Sequence, residues 1–414
     1  MVKIFVTGDN HFGKKYNRYP EIRHRLTESR YGCLEQMVRQ AEEEGCELFA
    51  VTGDLFDSCV SVDRESVARA ARILAGFAGT VLVLPGNHDY YTGEEKVWKR
   101  FEEALAGMEH NVVLLKEFRP YRIVCAEETV TVYPALCQSK HGTANNLDWI
   151  RKEGIRQDGT ISVGMAHGAI QGVTPDLNQS YFLMTEEELN RIPADLWLIG
   201  HTHVPYPADL REDEDTFGRR IFNAGTHEQL DLSNHTEGTC MILTCFRKEG
   251  KTLVGARRYV SGRIRYLDWQ AQIRPGSGEG LKQTLERLAD QAPVPREDAV
   301  IRVTVSGAAQ PEEYETRQQI YEAVFGGFLF WEIRDAGLQE VISANRIRRE
   351  YAQTSFAARF LEALAEDPAQ LQMAYQLLRQ CREEEQEEKP RKSEAYPAVS
   401  LPESGTGRRN LPTA

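Results

Sequence analysis

Five short apolar runs in this chain each stop at a small residue or a Pro-Gly pair and deliver side chains that bind metals. Residues 4–7 lead to Gly8, Asp9, Asn10 and His11, and residues 48–52 to Gly53, Asp54, Leu55, Phe56 and Asp57. Residues 81–84 lead through Pro85 and Gly86 to Asn87, His88 and Asp89. Residues 161–165 lead to Ala166, His167 and Gly168, and residues 196–199 to Gly200, His201, Thr202 and His203. Carboxylate, amide and imidazole donors without cysteine suit the harder divalent cations Mn²⁺, Mg²⁺ or Fe²⁺, with Zn²⁺ also open. Asp9 and His11 alternate along an extended loop, which puts both on one side. Asp54 has two oxygens and so can bridge two cations about 3.5 to 4 Å apart. Such a pair clamps a phosphate, activates a water near neutral pH and offsets charge on the phosphoryl oxygens, so phosphoester hydrolysis is the chemistry expected.

For these ligands to meet, the runs must be strands whose carboxyl ends share an edge, as in open α/β sheets. Helical periodicity at residues 31–45, 63–77 and 94–105 alternates with the first three runs, which predicts parallel strands joined by right-handed crossovers. Short strands at 112–115, 121–125 and 129–133 follow in quick succession and predict antiparallel pairing, hence a mixed or second sheet. A short helix is expected near 147–152, another opens at Thr185 with Glu188 at the capping-box position, and strands are expected at 220–223, 239–246, 252–260 and 264–269. The glycine-rich stretch 274–280 reads as a boundary. Beyond it, helix 281–291, strand 299–305, helix 311–324 and strand 328–334 make a small α+β module, followed by amphipathic helices at 355–365 and 368–384. The expected organisation is a catalytic domain over 1–273, a small α+β capping domain over 281–345, C-terminal helices over 346–385 and a disordered tail over 386–414.

The chain has 414 residues, 41% of them hydrophobic, and a formal charge of -12. That charge argues against nucleic-acid binding by bulk attraction, although bound cations and local basic strips override a global sign. One such strip lies between Lys14 and Arg30, where Lys14, Lys15, Arg18, Arg23 and Arg25 are candidate nucleic-acid contacts; the plainer reading is a solvated loop. The eight cysteines include no C-x-x-C pair and are expected to be reduced. The first strand starts at residue 2, leaving no stretch for a signal peptide, and no apolar run approaches the roughly 18 to 20 residues of a membrane span. A cytoplasmic location without membrane contact is expected.

The motifs G-D-x-H, G-D-x-x-D, G-N-H-D, a lone His before Gly, and G-H-x-H occur in that order. This set resembles the calcineurin-like metallophosphoesterases. Within them, GDLFD, LPGNHD, AHG and GHTHVP, with a further domain after the core, most resemble the SbcD-type DNA-repair exonucleases. The resemblance implies a four-layer α/β/β/α core with two mixed sheets. It implies one metal held by Asp9, His11, Asp54 and His203, and a second held by Asp54, Asn87, His167 and His201. Mn²⁺ is the first expectation for both. His88 would contact the scissile phosphate and assist the leaving oxygen, and Asp89 would orient His88. Some relatives carry a second histidine at the position of Asp57, so Asp57 is open between a phosphate contact and support of His11 or of a neighbouring loop. His227 is open between a site role and packing, and His24, His110, His141 and His235 belong to no motif.

The partners implied are DNA and an SbcC-like ATPase of the SMC type. The ATPase would dock on the C-terminal helices through Phe356, Phe360, Leu361 and Leu364 with Leu371, Tyr375, Leu377 and Leu378. The resemblance also allows a homodimer through residues 67–77, which could instead face the core. The alternative enzyme is a phosphatase or phosphodiesterase acting on small phosphoesters or cyclic nucleotides. Ser58, where Ser/Thr protein phosphatases usually carry arginine, counts against a protein phosphatase. A catalytically silent scaffold is the third reading, disfavoured by the complete ligand set.

Overall fold

The computed structural model describes residues 1–143, 145–156, 158–173, 180–274, 278–342 and 344–388. The chain begins with β1 (Val2–Thr7), α1 (Arg23–Glu43), β2 (Leu48–Val51), α2 (Arg64–Ala75), β3 (Thr80–Val83), α3 (Lys96–Leu105) and β4 (Val112–Leu114). There follow β5 (Tyr121–Val124), β6 (Thr129–Ala135), α4 (Asp148–Glu153), β7 (Ile161–His167), α5 (Glu186–Arg191) and β8 (Leu196–Gly200). Next come β9 (Thr216–Phe217), β10 (Ile221–Phe222), β11 (Thr239–Lys248), β12 (Lys251–Val260) and β13 (Arg265–Ile273). The remainder holds α6 (Leu281–Ala289), β14 (Ala299–Ala309), α7 (Pro311–Glu315), α8 (Arg317–Phe325), β15 (Phe330–Glu340), α9 (Ala344–Glu350), α10 (Phe356–Ala363) and α11 (Pro368–Glu388).

Two sheets face each other. The first has the order β4-β3-β2-β1-β11-β12-β9 and the second β10-β8-β7-β6-β5. Strands β1 to β4 pair in parallel, as do β6, β7, β8 and β10, so the carboxyl ends that carry the ligands fall on a common edge within each sheet. Alternation along each strand sorts the core into layers. Val2, Ile4 and Val6 of β1 meet Val163 and Met165 of β7 and Leu196 and Leu198 of β8 between the sheets. Phe5, Phe49 and Val81 point to the other face, where Leu34, Val67, Leu74 and Phe101 of α1 to α3 cover them. Tyr133, Trp197 and Ile199 are covered by Ile150 and Leu189 of α4 and α5. This is the expected four-layer α/β/β/α arrangement with two mixed sheets.

Local signals set the helix starts. The Asp63 carboxylate accepts the Ser66 N–H at 2.8 Å at the head of α2, and Thr185 with Glu188 forms the reciprocal capping box of α5. Other expectations need correction. β4 pairs in parallel with β3 in the first sheet rather than antiparallel with β5, because Val112 contributes to the core beneath α2 and α3. Helix α1 begins at Arg23 instead of residue 31, since Leu26, Ser29 and Arg30 are buried and extend its inward face. The helix expected over 311–324 divides at Thr316, whose hydroxyl donates back to the Glu312 carbonyl at 2.7 Å. Within residues 67–77, Val67, Ala70, Ala71, Leu74 and Phe77 lie in the chain's own core, and Arg72 is exposed.

The chain divides into two units. One comprises Met1–Trp269, Gln291–Val303 and Phe325–Glu332; the other comprises Gln270–Asp290, Thr304–Val324 and Ile333–Ala414. The sheet β13-β14-β15 has strands that each run through this division. In the second unit, Ile342, Ile347, Tyr351, Ala358, Leu361, Leu371 and Tyr375 form a separate small core among α9, α10 and α11. Residues 275–277 of the expected boundary and 389–414 of the expected tail lie outside the described residues. Helix α11 extends to Glu388. All eight cysteines are unpaired. No helix among the described residues is long and apolar enough to cross a membrane.

Candidate metal centre

The loops after β1 and β2 run side by side: Asp9 N–H donates to the Gly53 carbonyl (3.0 Å) and His11 N–H to the Asp54 carbonyl (2.9 Å). Five of the expected ligands sit at positive φ: Asp9 (49°), His11 (48°), Asp54 (50°), His201 (100°) and His203 (54°). That conformation is unfavourable for residues with a Cβ and marks a site held by its surroundings. Gly86 shows how tightly it is held, because a Cβ there would stand 2.4 Å from the Asp54 nitrogen and 2.3 Å from its Oδ1.

All seven candidate ligands come together, in two groups. In the first, His11 Nε2 lies 3.1 Å from His203 Nε2, and His203 Nε2 lies 3.6 Å from Asp9 Oδ1. In the second, Asn87 Oδ1 lies 3.0 Å from both His167 Nε2 and His201 Nδ1. Asp54 Oδ2 stands between them, 3.8 Å from His11 Nε2 and 3.4 Å from His167 Nε2. Bonds of about 2.0–2.2 Å to nitrogen and oxygen place neighbouring ligand atoms roughly 3–3.5 Å apart, so each group fits around one cation.

The remaining hydrogen bonds aim these atoms. His167 Nδ1 donates to the Thr52 carbonyl (2.9 Å), which leaves Nε2 with its lone pair turned inward. The Asn87 amide NH₂ donates to the Lys140 carbonyl (3.3 Å), which turns Oδ1 inward. Both Asp9 oxygens accept the His201 N–H at 3.0 Å, and Asp54 Oδ1 accepts the His88 N–H at 2.8 Å. Asp54 Oδ2 is buried without a hydrogen-bond partner. An orphaned carboxylate oxygen inside a ring of imidazoles would be costly by itself and is the donor a bridging cation needs. The residues present therefore fit two divalent metals.

The electrostatics agree. Burial pushes the Asp54 carboxyl up, but His167 and His11 beside it more than reverse this and hold it well below the usual carboxylate range. Burial lowers His11, and burial with the neighbouring His11 lowers His203 further, so both imidazoles remain neutral and able to ligate.

Residues 2–205 match the model of the calcineurin-like phosphoesterases. That stretch is just under half of the chain and is similar to this family. Among solved structures, the calcineurin-like phosphoesterase YfkN from Bacillus subtilis matches at 12% identity and TM-score 0.38, covering 63% of this chain and 90% of its own. A dimetal phosphatase from Danio rerio matches at 11% and TM-score 0.34, covering 62% and 98% respectively. Purple acid phosphatase PPD1 from yellow lupin (Lupinus luteus) seeds matches at 13% and TM-score 0.35, covering 63% and 53%. No curated protein sequence matches the chain at a significant level.

Around the two ligand groups, several expected residues take other places. His88 sits at the rim, its ring edge-on to His11 with centroids 4.8 Å apart. Its Nδ1 faces the Asp57 carbonyl at 3.0 Å. Asp89 does not reach the His88 ring. Its carboxylate accepts the N–H groups of Gly86 (2.7 Å) and Phe56 (2.9 Å), bracing the two loops that carry Asn87 and Asp54. The Asp57 carboxylate lies 3.3 Å from His11 Nδ1, so Asp57 supports that ligand. His227 is fully buried with Nε2 on the Arg30 carbonyl (3.2 Å), a packing position behind the site.

The basic strip is not a single surface. Arg30 is buried and donates to the Asn10 carbonyl (3.0 Å), and Arg18 and Arg25 are paired with Glu332 (2.7 Å) and Asp298 (2.5 Å). Lys14, Lys15 and Arg18 line a cavity next to Asp57. Arg23 is exposed at the start of α1. Three supporting contacts had no signature in the sequence: the Thr52 carbonyl on His167, the Thr226 hydroxyl on the Asp9 carbonyl (2.9 Å), and the Tyr181 ring against His201 at 4.9 Å.

Proposed function

We propose that the chain is a metal-dependent DNA nuclease of the SbcD type that hydrolyses phosphodiester bonds. The observation carrying the phosphoesterase chemistry is Asp54 Oδ2, buried, unpartnered and shared between two complete ligand groups. The narrower reading is supported by the wording of the five motifs and by a second unit that follows the phosphoesterase region.

Asp9, His11, Asp54 and His203 would hold one cation, and Asp54, Asn87, His167 and His201 the other. When bound, the pair supplies charge for the phosphoryl oxygens and lowers the pKa of the attacking water. The protein's own part is orientation and proton transfer. A carbonyl oxygen only accepts, so His88 Nδ1 carries the proton donated to Asp57, and Nε2 is the nitrogen left for the substrate. As the water oxygen bonds to phosphorus and the bond to the leaving oxygen breaks, protonated His88 Nε2 gives its proton to that oxygen. Asp89 keeps the Asn87 and Asp54 loops in register.

An SbcC-like ATPase of the SMC type is the partner proposed. Supporting it are Phe356, Phe360, Met373 and Leu377, exposed on α10 and α11 while Leu361, Leu371 and Tyr375 fill the small core. A truncated chain ending near residue 345 that still bound the ATPase would remove this partner surface.

The enzyme test is hydrolysis by purified protein with Mn²⁺ of linear duplex DNA, single-stranded DNA, bis(p-nitrophenyl) phosphate and p-nitrophenyl phosphate. His88→Gln and Asp54→Asn serve as controls. DNA cleavage lost in both variants is the expected result. Turnover of the small esters with DNA untouched, even with the ATPase present, would replace the nuclease by a small-substrate phosphatase or phosphodiesterase.

A further inference from the structure

A cavity of about 660 Å³ opens in the first unit beside the candidate metal centre. Its wall includes Asp57, the residue whose carboxylate supports His11 and whose carbonyl holds His88. The cavity therefore begins one residue away from where a scissile phosphate would react. Four cations line it, Lys14, Lys15, Arg18 and Arg302, against two carboxylates, Asp57 and Asp231. The cations differ in what already holds them. Arg18 is paired with Glu332 at 2.7 Å and Arg302 with Asp268 at 2.9 Å. Among the described residues, no carboxylate oxygen lies within 4.0 Å of the ammonium of Lys14 or Lys15, although Lys14 is near enough to act on the Asp57 and Asp231 carboxylates.

In a chain with net charge -12, two unpaired ammonium groups beside a phosphate-reacting centre form a local anion site. A mononucleotide or a nitrophenyl ester offers nothing to this cavity once its only phosphate is on the metals. A strand with consecutive phosphodiesters does. We propose that the cavity receives the phosphate next to the scissile one in a DNA strand, with Lys14 and Lys15 as its counterions. This rests on the nuclease reading for the identity of the strand.

The test is equilibrium binding of fluorescein-labelled, phosphorothioate-linked oligothymidylates with one, two and four internucleotide linkages to the Mn²⁺-loaded protein. Wild type is compared with Lys14→Ala/Lys15→Ala and with the charge-keeping Lys14→Arg/Lys15→Arg. The second linkage should tighten binding about 10-fold in wild type, the size expected for a charge-assisted contact. The alanine variant should lose that step and the arginine variant keep it. One single-strand phosphate contact removed should also flatten the logarithmic salt dependence by about 0.7. An unchanged melting temperature in the alanine variant establishes that it is folded.

No gain from the second linkage in wild type, or the same gain in the alanine variant, would overturn the proposal. Cleavage of unmodified DNA is scored separately. Binding with the expected step but no cleavage would remove the nuclease reading and leave the cavity assignment standing, whereas cleavage without the step would do the reverse.

Discussion

The backbone carbonyl of Asp57 accepts the Nδ1 proton of His88 at 3.0 Å. The same residue's carboxylate stands 3.3 Å from His11 Nδ1, so one position orients both the rim histidine and a candidate ligand. The two roles separate by substitution, because Asn keeps the carbonyl and removes the charge. Asp57→Asn should weaken Mn²⁺ binding about 10-fold, within the range for loss of a group that orients a ligating histidine. Titration calorimetry reads this directly, and an unchanged affinity would mean that the carboxylate does not support His11.

Asp54 and His88 should fail in different ways. Asp54→Asn removes the oxygen shared by both ligand groups, so metal content measured by elemental analysis should fall below two ions per chain and activity should drop at least about 100-fold. His88→Gln should retain both ions while kcat falls about 10² to 10⁴-fold, the usual size of a lost proton-transfer group. Loss of metal in the His88 variant would place that ring among the ligands instead.

Metal affinity should depend on pH in a defined direction. Burial raises the Asp9 carboxyl to about 7 in the metal-free protein, and the carboxyl must ionise to accept a cation. At the cation held by Asp9, affinity for Mn²⁺ should therefore fall as pH drops through about 7, approaching 10-fold per pH unit for that proton; at the other cation, burial lowers His167 but the Asp54 carboxylate more than reverses this and raises it to about 9, so affinity there should keep rising up to that pH. His11 and His203 are both lowered by burial, which favours their neutral, ligating form. Binding titrations across this range, showing equal affinity on both sides, would contradict the assignment of Asp9.

At the head of α2, Asp63→Ala should lower stability by about 1 kcal/mol at neutral pH, the usual cost of losing an N-cap. Burial pushes the Asp63 carboxyl up, but the Ser66 N–H and hydroxyl more than reverse this and leave it lowered. A lowered carboxyl contributes stability above its unfolded value of about 3.9 and loses it as pH falls through the folded value. Urea unfolding of wild type and variant should therefore converge in strong acid, and a difference that persisted there would have another origin.

The ligand set was legible in the sequence because each ligand stands at the end of a strand or within four residues of it, and strand periodicity is a local property. Thr7 to His11, Val51 to Asp54 and Leu84 to Asn87 each carry their own boundary, as does the Thr185 to Glu188 capping box. Helix α1 was misplaced because its first turns contain Arg23, His24 and Arg25, which read as solvated, while Leu26 and Arg30 are buried by residues far along the chain. Strand β4 was misassigned because neighbours in sequence suggested a hairpin, whereas Val112 packs better in the first sheet.

Sequence alone thus determined which residue types could gather and what chemistry they could support, since side-chain donors and strand ends are fixed locally. Tertiary structure alone decided which partner each one took. Asp54 and His167 are 113 positions apart, and only the packing of the two facing sheets that hold β2 and β7 brings Oδ2 within 3.4 Å of Nε2. Asp89 was expected on the His88 ring and instead braces Gly86 and Phe56. Arg18 and Arg25, candidates for nucleic-acid contact or for a solvated loop, meet carboxylates more than 250 residues away. Long-range burial and charge pairing depend on the packing of the whole core, which no local pattern encodes.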